Sequence, residues 1–117
     1  MDILNVLEKA TQINSVSGSE NEIRKFISDN VKKYCDELSL DAMGNLIAHK
    51  KGSGKKIMFA AHMDEIGIIV TDIDDKGFVR FSSVGGLNLR NLVNLRVHFA
   101  NGVEGVIGAE EESFKDK

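Results

Sequence analysis

The 117-residue sequence has no proline, no tryptophan, one tyrosine and one cysteine. A lone Cys35 cannot close an internal disulfide, so nothing points to an oxidising compartment. Without proline, and with no repeat or low-complexity tract, no linker is marked, and the length suits one compact domain. No apolar run approaches the ~18–20 residues that span a bilayer. The opening stretch MDILNVLEKA carries an acid at position 2 and no basic region, which is unlike a signal peptide. Aromatic residues make up only 6%, a poor stacking platform for sugars. With 15 Lys and Arg against 18 Asp and Glu, the net charge of −3 argues against a nucleic-acid partner. These absences predict a soluble, cytoplasmic chain with neither a membrane nor a nucleic acid as partner. What is present, 42% hydrophobic and 28% charged residues, is enough for an ordinary core.

Ile3, Leu4, Val6, Leu7, Ala10 and Ile13 recur at helical spacing behind Asp2, a natural N-cap. A turn follows at residues 15–18. Ser19 and Glu22 then match a capping box, and Ile23, Phe26, Ile27, Val31 and Tyr34 form one apolar stripe, which predicts a second helix. From residue 36 the period changes. Leu38 and Leu40 alternate with polar neighbours, and a turn at Ala42-Met43-Gly44-Asn45 leads into Leu46-Ile47-Ala48-His49-Lys50. Beyond Gly52-Ser53-Gly54, the run Ile57-Met58-Phe59-Ala60-Ala61 is nearly all apolar. This predicts a central strand with both faces covered. The remainder alternates. Segments 68–73 and 78–82 flank Asp74-Asp75-Lys76-Gly77, and segments 95–99 and 103–107 flank Ala100-Asn101-Gly102, two hairpin patterns. A boundary is expected near Gly67, and residues 110–117 are expected to fray.

Several motifs have better explanations than function. Lys51-Gly52-Ser53-Gly54-Lys55-Lys56 lacks the spacing and the following helix of a phosphate loop, so it reads as a solvated hairpin leading into the next strand. The run Asp72 to Gly77 lacks a calcium loop's distal glutamate and reads as a β-turn. Glu110, Glu111 and Glu112 read as a solvated tail. His49 and His98 lie in alternating strands and read as structural or surface residues. Cys35 reads as a small buried hydrophobe.

Ala60-Ala61-His62-Met63-Asp64-Glu65-Ile66-Gly67 is different, because here an apolar strand ends in a histidine and two acids. Residues two apart on a strand share a face, so Asp64 can fix the tautomer of His62 and raise its basicity as a metal ligand. Such strand ends carry the sites of α/β folds. The spacing alone leaves two readings open, a ligand or a hydrogen-bonded strand-end histidine.

Val16-Ser17-Gly18-Ser19-Glu20, Asp41-Ala42-Met43-Gly44-Asn45-Leu46 and Ala60-Ala61-His62-Met63-Asp64-Glu65-Ile66-Gly67 together resemble the dinuclear-metal aminopeptidases of metallopeptidase family forty-two. These are the glutamyl, deblocking and tetrahedral aminopeptidases, many of which carry an endoglucanase or cellulase label. Gly77-Phe78-Val79-Arg80-Phe81, Val84-Gly85-Gly86-Leu87 and Gly105-Val106-Ile107-Gly108 continue the match in order. One departure is that no proline precedes Val16.

The resemblance implies an α/β fold. Residues 1–66 would open a zinc-aminopeptidase-like helix/sheet sandwich with a parallel-rich sheet, and residues 67–117 would open an inserted β-barrel that mediates homo-oligomerisation. It implies two zinc or cobalt ions with a bridging water, a peptide substrate, His62 as the first metal ligand and Asp64 as the catalytic acid orienting it. The remaining ligands and the general base would lie beyond Lys117, since such enzymes run to about two or three times this length. The chain thus reads as an N-terminal fragment that is inactive alone, with exposed strand edges that invite association. There are two rival readings. A glycoside hydrolase needs two carboxylates about 5–9.5 Å apart across a bond, whereas Asp64 and Glu65 are neighbours expected on opposite faces. The other rival is a non-catalytic, shortened oligomerising protein.

Overall fold

A computed structural model describes residues 2–109, in which helices are followed by hairpins. The order is α1 (Ile3–Thr11), α2 (Asn21–Val31), a 3-10 turn (Lys32–Tyr34), β1 (Glu37–Leu40), β2 (Leu46–His49), β3 (Gly67–Ile73), β4 (Val79–Val84), a second 3-10 turn (Leu89–Asn91), β5 (Arg96–His98) and β6 (Glu104–Val106). The chain divides into two compact units, Met1–Gly85 and Gly86–Lys117. It is of mixed α/β class. Among the described residues no helix is long and apolar enough to cross a membrane.

In the first unit, Asp2 caps α1 by accepting the Asn5 amide at 3.3 Å. The capping box expected at Ser19 and Glu22 does not form. Ser19 instead gives its amide to the Val16 carbonyl, Glu20 accepts the Gly18 amide, and α2 starts two residues later with Glu20 as its N-cap. The turn before the helix outcompetes the cap for the same groups. The apolar stripe of α2 buries Ile23, and the helix lies beside the β1–β2 hairpin. β3 and β4 pair from Gly67↔Val84 to Ile73↔Val79 with a bulge between Val70 and Asp72. Their turn is closed by Asp74, whose side chain accepts the amides of Lys76 and Phe78, with Gly77 at φ 84°. The calcium-loop look-alike is therefore a hairpin turn.

In the second unit, Asn101-Gly102 turns β5 into β6, as its sequence demands. The Ile107 carbonyl accepts the Asn94 amide, the Ile107 amide donates to Leu95, and Ile107 is buried.

Residues 57–61 depart from expectation. They belong to no strand, and Ile57, Met58 and Phe59 are 78%, 88% and 94% exposed. A strand that is apolar on both faces forms only where neighbours pair its edges and helices cover its faces. None of the described residues supplies them. The hairpin expected at Gly52-Ser53-Gly54 does not form either, since no strand follows it, and the parallel-rich sheet is not formed among the described residues. All three ladders are antiparallel, and the parallel pairing is the isolated bridge Val16↔Glu65. Cys35 is half-buried and free. Glu110, Glu111, Glu112 and the rest of the expected fraying tail lie outside the described residues.

The β1–β2 turn makes an acid-sensitive element. Asp41 Oδ2 accepts the Asn45 side-chain amide at 2.7 Å, and Oδ1 accepts the backbone amides of Asn45 and Met43 at 2.9 Å each. These bonds, the Asn45 side chain foremost, hold the Asp41 carboxyl below its ordinary 3.8. A depressed carboxyl contributes its stability fully above the unfolded value and loses it as the pH falls through the folded one. In an acid titration followed by NMR, the Met43 and Asn45 amides should therefore shift together with a midpoint below 3.8. A midpoint at or above that value would contradict the assignment.

Candidate metal-ligand site

The site is assembled by two segments far apart in sequence. After α1 the chain runs through residues 15–17 and reverses in a turn closed by the 2.7 Å bond from the Ser19 amide to the Val16 carbonyl. Gly18 sits at the third turn position with φ 90°, where a side chain would be strained. This presents Ser17 at the corner. The second segment, leaving the apolar run, lies alongside. Glu65 donates its amide to the Ser15 carbonyl at 2.9 Å, and its own carboxylate accepts the Ser15 amide at 2.9 Å. Ser15 is buried at 5% exposure, so this pairing satisfies amide groups that water cannot reach.

The strap sets the neighbouring side chains. Ser17 Oγ donates to Asp64 Oδ2 at 2.5 Å. The other carboxylate oxygen, Oδ1, lies 3.2 Å from His62 Nδ1, and the Asp64 carbonyl oxygen lies 3.0 Å from the same nitrogen. Two acceptors face Nδ1, so in the neutral ring the proton resides there and Nε2 carries the free lone pair. The Ser17 hydroxyl is the main cause holding the Asp64 carboxyl below the usual carboxylate range, with His62 contributing less and partial desolvation opposing. The imidazole is 85% exposed and Asp64 38%. The ring thus presents Nε2 outward with its other nitrogen held by a carboxylate, the arrangement of a histidine that ligates a cation.

The donor set fits one ligand of a metal and no more. Among the described residues no group of three or more His, Cys, Asp or Glu could hold an ion. His49 and His98 are drawn elsewhere, to Glu37 at 3.3 Å and Glu104 at 3.5 Å, as surface members of their hairpins. Glu65 is tied to the Ser15 amide while Asp64 is tied to Ser17 and His62, so the two adjacent acids have separate partners. Sequence reasoning brought His62 and Asp64 together correctly, although the strand it relied on is absent. It gave no role to Ser17. The turn around Gly18 was visible, but its contact with a residue 47 positions away was not.

Residues 44–117, well over half of the chain, match the profile of the M42 glutamyl aminopeptidases, and the chain belongs to that family. A protein of Acetivibrio thermocellus that carries an aminopeptidase name is 55% identical over 111 residues, 95% of this chain and 34% of that protein. A Thermotoga maritima structure described as an endoglucanase superposes with a TM-score of 0.81 at 40% identity, over 89% of this chain and 34% of that one. The TET1 peptidase of Pyrococcus horikoshii, described as assembling into a tetrahedron or a large octahedral shell, superposes with a TM-score of 0.78 at 38% identity, over 99% and 36%. The chain spans about a third of the length of these proteins.

Close approach of the two segments depends on Gly67. A Cβ there would stand 2.5 and 2.7 Å from the methyl carbons of Val16, whose β-branched side chain has little freedom to turn aside. Gly67→Ala should weaken the strap by about 1–3 kcal/mol, as overpacking does, and speed exchange of the Glu65 amide roughly tenfold or more. Gly54→Ala, where a Cβ meets open space, should leave that exchange unchanged. Equal exchange in the Gly67 variant and the unaltered chain would contradict this reading.

Proposed function

We propose that this chain is the part of a dinuclear-metal aminopeptidase that supplies the first metal ligand, His62, and the acid that orients it, Asp64. The observation that carries the reading is the engagement of His62 Nδ1 by Asp64, which leaves Nε2 as an outward lone-pair donor. Family membership supports the use of divalent metal. We read the pair of ions as zinc or cobalt, both suited to imidazole and carboxylate. Bound there, a divalent cation would polarise a scissile carbonyl and acidify water. The chain's own part is narrower. Asp64 keeps the proton on Nδ1 and fixes the plane of the ring.

On this reading the substrates are peptides that lose their N-terminal residue, and the protein works in the cytoplasm as a homo-oligomer. The oligomeric description of the Pyrococcus horikoshii neighbour supports the last point. Residues 1–66 belong to the peptidase domain and residues 67–117 to an inserted β-barrel. The apolar segment 57–61 gains its strand neighbours from the rest of the enzyme, as its exposure and the length of the relatives suggest. An endoglucanase activity, which the Thermotoga maritima neighbour's description raises, needs a pair of carboxylates facing one another across a bond, and among the described residues Asp64 and Glu65 are bonded to different partners.

The tests use both the chain and a complete enzyme that contains it. The 117-residue chain should not turn over an amino-acid p-nitroanilide with added cobalt, because one imidazole cannot hold a catalytic ion. In the complete enzyme, His62→Ala should remove bound metal and turnover together, and Asp64→Asn should weaken metal affinity by about 10–100-fold. Unchanged metal content and activity in His62→Ala would end the proposal. Hydrolysis of carboxymethylcellulose that survives chelation would favour the glycosidase reading, and a complete protein that takes up no metal would favour a non-catalytic one.

A further inference from the structure

We infer that Ser17 is a positioning residue of this site: its hydroxyl holds Asp64 in the orientation that turns Oδ1 toward His62 Nδ1. The inference rests on the reading of His62 and Asp64 given above and extends it to a third residue on a distant segment.

The carboxylate of Asp64 has two oxygens, and each has one side-chain partner, Ser17 on Oδ2 and His62 on Oδ1. The torsion that rotates a carboxylate is broad and soft, so a single partner leaves its plane poorly fixed. A second partner on the far oxygen removes that freedom. Ser17 can do this because its own position is determined three times over. The Ser15–Glu65 amide pairing sets the height of the strap, the Val16–Ser19 turn sets the corner, and Gly67 lets Val16 approach. The hydroxyl therefore arrives on rigid backbone, which is what orienting an acid requires.

A purely structural use of Ser17 is the competing explanation, and the local bonding argues against it. The second position of such a turn accepts most residues, so the turn does not require serine. The two bonds between Ser15 and Glu65, one between backbones and one to the Glu65 carboxylate, already join the two segments without the hydroxyl. What the hydroxyl adds is directed at Asp64 alone. Its bond to Oδ2 is a charge-assisted one, stronger than a neutral pair.

The experiment reads the imidazole itself and does not depend on turnover. The 117-residue chain is labelled with 15N-histidine, and the ring nitrogens are observed by long-range 1H–15N correlation at a pH well above the ordinary histidine range of about 6.5. In the unaltered chain His62 should be chiefly the Nδ1–H tautomer. Ser17→Ala should lower the ratio of Nδ1–H to Nε2–H by about threefold or more, the effect of losing one supporting hydrogen bond, while exchange of the Glu65 amide stays the same. Ser17→Thr, which keeps the hydroxyl, should retain the original ratio. A Ser17→Ala chain with the unaltered ratio would overturn the inference, as would loss of Glu65 protection in that variant, which would make the bond a staple of the fold. Ser17→Thr behaving like alanine would overturn it as well. Asp64→Asn separates the two levels. If it shifts the tautomer and Ser17→Ala does not, only the role of Ser17 fails. If neither shifts it, Asp64 does not orient the ring, and the reading beneath fails too.

Discussion

Glu65 gives its amide to the Ser15 carbonyl and takes the Ser15 amide on its carboxylate, and the rest of the site is arranged around this pair of 2.9 Å bonds. The strap brings a turn at residues 16–19 against the end of an apolar run 47 residues later, which places the Ser17 hydroxyl on Asp64 and Asp64 on His62. None of these side chains is deeply buried, so the arrangement does not come from a packed core around them. It comes from the two bonds of Glu65 to a buried serine, from a turn that needs Gly18, and from the bare face of Gly67. Neighbouring acids thereby acquire separate roles: Glu65 serves the fold and Asp64 serves the histidine.

Beyond the strap, the described chain holds together as helices and hairpins with little shared interior. Among the described residues the buried apolar side chains are Ile23 and Ile107, while Phe59 stands 94% exposed. Composition is not the reason, since 42% hydrophobic residues would fill an ordinary core. The unmet surface is concentrated in the run before the site, whose two apolar faces and two open edges need partners that local sequence cannot provide. This fits a segment shaped for the interior of a larger protein, in keeping with a chain that spans about a third of its relatives.

How much was legible followed from how local each determinant is. The two later hairpins could be read because Gly77 and Asn101-Gly102 dictate their turns. α1 could be read from its spacing and Asp2. His62 and Asp64 could be paired because two residues of separation suffice in any extended backbone. The strand at residues 57–61 could not be placed correctly, because a strand is a property of its neighbours as much as of its own side chains. The capping box failed for a related reason: Ser19 had a second use for its amide, in the turn that presents Ser17. The contact between Ser17 and Asp64, 47 positions apart, leaves no trace in spacing at all.

The most direct test of the central claim is anomalous diffraction from zinc-loaded crystals of the complete enzyme. A peak is expected about 2.0–2.1 Å from His62 Nε2, with Nδ1 turned toward Asp64. A cation on Nδ1, or an active enzyme with no cation at His62, would contradict it.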